Sequence, residues 1–307
     1  MRISDRMNTT ATITNFAQLR DQVDAAQTQV SSGLSFSEAS QNPTAAAGVM
    51  QNNTQLNALA QYQKNADTAT RRVNLEESVL DQMNTLLTNA QQLAMSQATA
   101  TATPATMQTT AQQVNQLLAQ AVQLSNTKDG SEYLFGGTNS GTAPFTVNTS
   151  EAAYTFSAAS PPASGERQVE IAPSQLIPTN HDGTQVFGTD GSRGVPASGA
   201  LASLANLAAA LQSGSQGAVT NTLTDLDNQL TNVQSLTGQT GAWANRLEIT
   251  GSNITAFTNQ LTTSNATLQD VDIETAMTNL TGRQTAYQAA MAATSRVMGL
   301  SLANYLT

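Results

Sequence analysis

The sequence predicts a mainly α-helical fold: an elongated antiparallel bundle or coiled coil made from both chain ends, with a small, mostly β segment inserted between them. Three observations lead there. Apolar residues recur at helical spacing near both ends of the 307-residue chain. A helical pattern of about 50 residues runs from Ala45 to about Ser96, a rod of roughly 75–80 Å at ~1.5 Å per residue. Between about 131 and 199 the texture changes to short β-prone runs separated by Gly, Pro, Ser and Thr.

The first helix carries Phe16, Leu19, Val23, Ala26 and Val30, spaced 3-4-3-4, with Ile3 and Met7 upstream as further apolar positions. Gly33 and Pro43 interrupt it within "SSGLSFSEASQNPT". Pro43 belongs near the start of the second helix, with Asn42 or Thr44 as candidate caps. Leu80, Met83, Leu87, Ala90 and Ala94 form one seam of that helix. "TATATPAT" at 99–106 breaks the pattern, and Met107, Ala111, Val114, Leu118 and Ala121 begin a third helix.

In the insertion, "EYLFGG", "PFTVN", "AYTFSA", "RQVEIA" and "TQVFG" are expected as strands, with turns at dipeptides such as Asp182-Gly183 and Asp190-Gly191. Helix resumes at 199–214, and another carries Leu223, Leu226, Leu230 and Val233. Beyond Gly238 and Gly241 a new seam of Leu247, Ile254, Phe257, Leu261, Leu268 and Val271 runs into the terminal helix. Trp243, just after the glycines, is expected to pack in the core, with a helix junction as the other position open to it. The terminal helix bears Ile273, Met277, Leu280, Tyr287, Met291, Met298 and Tyr305, with Leu300, Leu302 and Leu306 at its end. The expected domains are 1–44 with 265–307 as a terminal coiled coil, 45–130 with 200–264 as a helical rod, and 131–199 as the β-rich outer insertion.

Composition limits what such a chain can do. Charged residues make up 11%, against about 25% in ordinary globular proteins. Leu, Ile, Val and Phe total 58 of 307, so the apolar stripes are thin and suit helices meeting along seams better than one thick core. With net charge −9, only two lysines and no arginine cluster beyond Arg71–Arg72, no phosphate-binding patch forms, which excludes nucleic acid as a partner. Arg71 and Arg72 are expected on a solvated or subunit-facing side of the long helix.

Signals for chemistry are weak. His181 is the sole histidine and there is no cysteine, so no His/Cys metal cluster is possible; His181 is expected in a solvated loop. No Gly-x-Ser-x-Gly or Gly-x-x-x-x-Gly-Lys-[Ser/Thr] motif occurs. Asp270, Asp272 and Glu274 begin like a calcium loop, but Thr275 and Thr281 occupy the positions that need Gly and Glu. They are expected to cap the terminal helix instead. No catalytic residue, metal or cofactor is assigned. The N-terminal "MRISDRMNTT" is too polar for a signal peptide, no run is long enough to span a bilayer, and two arginines in 271–307 are too few for a helix lying on a membrane.

The terminal stripes remain uncovered. Ordering both ends costs more conformational entropy than their large side chains return on pairing with one another alone. Ile3, Met7, Phe16, Leu19, Val23 and Val30 at one end form the candidate assembly interface with Ile273, Met277, Leu280, Tyr287, Met291, Met298, Leu300, Leu302, Tyr305 and Leu306 at the other. These ends are expected to be disordered in a free monomer and to fold when neighbours cover them. A monomeric bundle with the stripes as its core is the plainer alternative, and a soluble helical ligand-binding or enzyme domain is the other.

Four stretches together, "MRIS", "SSGLSFSEASQNPTAAA", "GSEYLFGGTNSGTAPF" and "LSLANYL", resemble the bacterial flagellin family, over roughly 1–145 and 200–307. "YLFGGT" followed by "PF" resembles the branch that joins the flagellar hook to the filament. Gln41-Asn42-Pro43 departs from the paired acids of filament flagellin in the same direction. The resemblance implies a structural adaptor, not an enzyme, assembled as a ring. Another hook-associated junction protein would lie on the hook side and filament flagellin on the other. It also implies type III export without a cleaved signal peptide, an extracellular location, and an export chaperone on the C-terminal helix. Filament flagellin itself is the alternative within the family.

Overall fold

A computed structural model describes residues 2–99, 101–159, 164–191 and 197–306, with side chains at residue 7 and, within those spans, from 10 to 295. The chain is mainly helical: α1 (Arg2–Ser32), α2 (Pro43–Gln97), α3 (Pro104–Ser125), α4 (Gly183–Phe187), α5 (Ala200–Gln212), α6 (Gln216–Gln269) and α7 (Ile273–Leu306). Three two-stranded antiparallel sheets lie between α3 and α5: β1 (Lys128–Asp129) with β2 (Glu132–Tyr133), β3 (Phe145–Asn148) with β4 (Thr155–Ala158), and β5 (Gln168–Ala172) with β6 (Gln175–Pro178). No described helix is long and apolar enough to cross a membrane.

Local chemistry starts and stops these elements. At α2 the Ala45 N–H donates to Asn42 Oδ1 at 3.2 Å, so Asn42 is the cap and Pro43 takes the first helical position. At α3, Thr103 and Thr106 form a reciprocal capping box with Pro104 inside it.

Two expectations fail here. "TQVFG" is the helix α4 and not a strand: Asp182 Oδ1 accepts from the Thr184 N–H at 2.8 Å and nucleates a helical turn that β propensity does not foresee. α6 continues through Gly238 and Gly241 without a break. Each glycine costs only about 1 kcal/mol in a helix interior, less than the packing along α6 returns. The chain breaks instead at 270–272, between α6 and α7.

The chain forms two compact units, 1–58 with 256–307 and 59–255. In the 59–255 unit, α2, α3, α5 and α6 enclose the main core, and the insertion contributes to it directly. Leu134, Phe135, Phe145 and Phe187 are fully or almost fully buried among helical Leu80, Met83 and Leu118. Phe135 meets Phe187 edge to face with ring centroids 4.9 Å apart. Side-chain amides of α3 extend the sheet pairing. Asn115 accepts from the Tyr154 N–H (2.9 Å) and donates to the Ala152 carbonyl (2.7 Å), and Asn126 makes the same exchange with Phe145. In the other unit Phe36, Ala45, Ala46 and Val49 form a small cluster closed by Leu268. Phe257, expected on the α6 seam, is 62% exposed.

Candidate assembly surface

α1 and α7 pack antiparallel. Phe16 meets Tyr287 edge to face at 6.3 Å, and Arg283 Nη1 donates to the Gln22 carbonyl at 3.2 Å. At the base, Leu34 bridges Asp270: the Ser35 N–H donates to the Gln269 carbonyl (2.7 Å) and the Val271 N–H to the Gly33 carbonyl (2.9 Å). The two helix breaks are thus joined by strand-like hydrogen bonds. Asp272 starts α7, accepting from the Glu274 N–H at 3.1 Å and the Thr275 hydroxyl at 2.8 Å. Those bonds, the Thr275 hydroxyl first, hold its carboxyl below the usual aspartate range. Of the acids of "DVDIET", Asp272 caps the helix and Glu274 lies in its first turn, while Asp270 sits in the bridge to Leu34; among the described residues no group of three metal-ligating side chains gathers.

The predicted stripe divides in two. Phe16, Leu19, Val23 and Val30 of α1 are half-buried, as are Leu280 and Tyr287 of α7. Ile273, Met277 and Met291 lie further round α7 and stay 50%, 48% and 49% exposed. Met7 is 72% exposed, and nine residues from Phe16 is about two and a half turns, which puts it on the opposite face of α1. Ile13, outside the predicted stripe, is 61% exposed. The side chains of Ile3, Met298, Leu300, Leu302, Tyr305 and Leu306 lie outside the described residues. Among the described side chains of α1 and α7, only Ala26 and Ala276 are buried. The described part of the pair closes on two small methyl groups and leaves each described large apolar side chain at least partly open.

"YLFGGT" acquires a physical reason. Leu134 and Phe135 enter the main core, and Gly137 (φ 56°) lies where an added Cβ would overlap the Ser164 backbone. The motif is a packing unit joining the insertion to the helices.

His181 is buried, contrary to the expected solvated loop. Its N–H donates to Glu76 Oε1 at 2.7 Å, its Nδ1 lies 3.0 Å from the same oxygen, and its ring stacks on Trp243 at 4.3 Å. No one-dimensional signal pairs a loop histidine with a glutamate 105 residues away. Trp243 is half-buried within continuous α6 and packs against the cluster of Ala66, Ala69, Val73 and Leu247, which is the expected core packing and not a helix junction. Arg72 is likewise buried, against expectation, donating to the Leu134 carbonyl at 3.2 Å and facing Asp129 and Glu132. Burial, with Arg167 adding to it, pulls its guanidinium below the ordinary value. Arg71 stays exposed and pairs with Asp129 at 3.3 Å.

Comparison with known proteins matches both ends. The model of the bacterial flagellin N-terminal helical region matches residues 3–140, and that of the C-terminal helical region matches 223–306. Flagellar hook-associated protein 3 of Escherichia coli (strain K12) is 29% identical over 292 residues, covering 89% of this chain and 90% of that protein. Among solved structures, a putative flagellar hook-associated protein from Vibrio parahaemolyticus shares the fold with a TM-score of 0.63 at 20% identity, covering 75% of this chain and 99% of that one. The flagellar junction protein from Legionella pneumophila does so at 0.57 and 17%, covering 73% and 100%. Matched over most of both helical ends, and similar over nearly its whole length to a hook-associated protein, this chain belongs to the bacterial flagellin family and is a flagellar structural protein.

Proposed function

We propose that this chain is the structural adaptor at the hook–filament junction, assembling as a ring through α1 and α7. The observation that carries the reading is the thinness of the α1/α7 seam, in which two alanines are the buried side chains among the described residues while Ile273, Met277 and Met291 stay half exposed. Helices gain most of their stability from packing an apolar face, not from propensity. A pair with so little buried between its members needs other chains against it. The half-buried strip (Phe16, Leu19, Val23, Val30, Leu280, Tyr287) then serves within the pair, and the open flank of α7 serves contacts with neighbours. Outside the assembly both ends are disordered, a form suited to export without a cleaved signal peptide, with a chaperone covering α7 beforehand. In place, one side of the ring meets another hook-associated junction protein and the other meets filament flagellin. The names of the similar proteins and the "YLFGGT…PF" signature support the junction over the filament itself.

Deletion of 271–307 tests the proposal. Cells carrying only the truncated chain are expected to build hooks without attached filaments, while the purified protein keeps the 59–255 unit folded by circular dichroism. Filaments attached through the truncated chain would refute it. Seeding purified full-length protein separates the two flagellar readings: a filament subunit propagates long filaments, whereas a junction subunit does not.

A further inference from the structure

The β5–β6 hairpin and its flanks, residues 164–181, are attached differently from the rest of the insertion. Leu134, Phe135, Phe145, Phe156, Val186 and Phe187 all join the main core. No residue of the hairpin belongs to that core. Its Ile171 and Ile177 close a separate small cluster with Ala66, Ala69 and Val73 of α2 and Leu247 of α6. At the end of that cluster stands the chain's lone histidine, held between Glu76 on α2 and Trp243 on α6, with Thr240 Oγ1 3.5 Å from its Nδ1.

This contact is tight but incompletely satisfied. Glu76 is fully buried and His181 1% exposed, yet Glu76 Oε2, His181 Nε2 and the nearby Arg72 Nε have no hydrogen-bond partner among the described residues. Unpaired buried polar atoms forfeit hydration without recovering it, and a partly satisfied network stabilises less than the same volume of apolar packing. The remaining ties are peripheral: Asn65 Nδ2 donates to the Glu170 carbonyl at 2.7 Å, Arg167 pairs with Glu132, and the Thr138 N–H donates to the Ser164 carbonyl at 3.0 Å. Regions with few apolar contacts and exposed hydrogen bonds open before the core does.

We propose that Glu76, His181 and Trp243 form a latch. Residues 164–181 swing off α2 and α6 as one unit, pivoting at Asp182, which keeps its cap on α4 while the main core stays closed; separation of His181 from Glu76 is the releasing step. The opened state uncovers the small apolar face of Ala66, Ala69, Val73 and Leu247. It makes the hairpin the element of the insertion that adjusts without disturbing the helices.

Hydrogen exchange on the intact chain tests this, with fluorescence of the single tryptophan as a second readout. In the unaltered protein, amides of the hairpin ladder, such as Val169, Ile177 and Thr179, are expected to exchange at least about tenfold faster than those of α3 and α5. Trp243 emission is expected to change at a lower urea concentration than helical ellipticity. His181→Ala and Glu76→Ala are each expected to speed hairpin exchange about tenfold more and leave α3 unchanged. Equal protection of hairpin and core in the unaltered protein overturns the latch, and that arm holds even where a variant folds poorly. Variants that accelerate hairpin and core alike, or neither, overturn it too.

Discussion

Tyr287 and Met291, one helical turn apart, separate two roles on α7. Tyr287 packs on Phe16 within the pair, whereas Met291 is 49% exposed. Tyr287→Ala is expected to destabilise the α1/α7 pair by about 1 kcal/mol, the worth of an aromatic contact beyond its area, seen as faster amide exchange in both helices. Met291→Glu is expected to leave that exchange unchanged and to abolish incorporation into flagella, scored by motility and electron microscopy. Loss of helix protection in Met291→Glu would assign the flank to the pair itself. Both residues fell on one predicted stripe, because apolar spacing marks a face of a helix but not how wide a partner's footprint on it is. His181 shows the same limit: its burial depends on Glu76 and Trp243, which only the folded chain brings to it.

The helix boundaries follow local chemistry. Asn42, Thr103 and Asp272 each cap a helix through bonds within a few residues; the roles of Asn42 and Asp272 were legible from sequence, whereas the stretch holding Thr103 showed only as a break. The Asp272 cap carries a pH signature. Its carboxyl titrates lower in the folded protein than in the unfolded chain, where aspartate titrates near ~4. The contribution is therefore complete above that pH and is lost as pH falls through the folded value. Asp272→Ala is expected to increase exchange in the first turns of α7 at neutral pH, with the difference from the unaltered protein shrinking below about pH 4. A difference that persisted undiminished in acid would show that the carboxylate is not the cap. Sequence failed for elements whose fate depends on distant support. α6 runs through two glycines because its buried face continues past them, from Val233 and Leu236 to Thr240 and Leu247, and the β-prone "TQVFG" turns helical on its capping aspartate.

For the molecule as a whole, the uneven distribution of buried surface is the governing fact. The 59–255 unit holds the main core, including three fully or almost fully buried phenylalanines, while the described terminal pair buries two alanines. Limited proteolysis of the free chain is accordingly expected to remove both ends first and leave a resistant fragment close to 59–255. Equal resistance of α1 and α7 would mean that the pair stands without neighbours.

The amino-acid sequence by itself determined the helical class, the order helix–insertion–helix, the caps at Asn42 and Asp272 and the flagellin resemblance, because periodicity, capping and turn chemistry act over a few residues. The tertiary structure alone decided which side chains are covered: that the insertion shares its core with the helices, that the terminal stripe splits into an inner strip and an open flank, and that His181 and Arg72 are buried. Burial is a property of what lies opposite a residue, and what lies opposite is set by contacts between distant positions, 62 apart for Arg72 and Leu134 and 261 apart for Gln22 and Arg283.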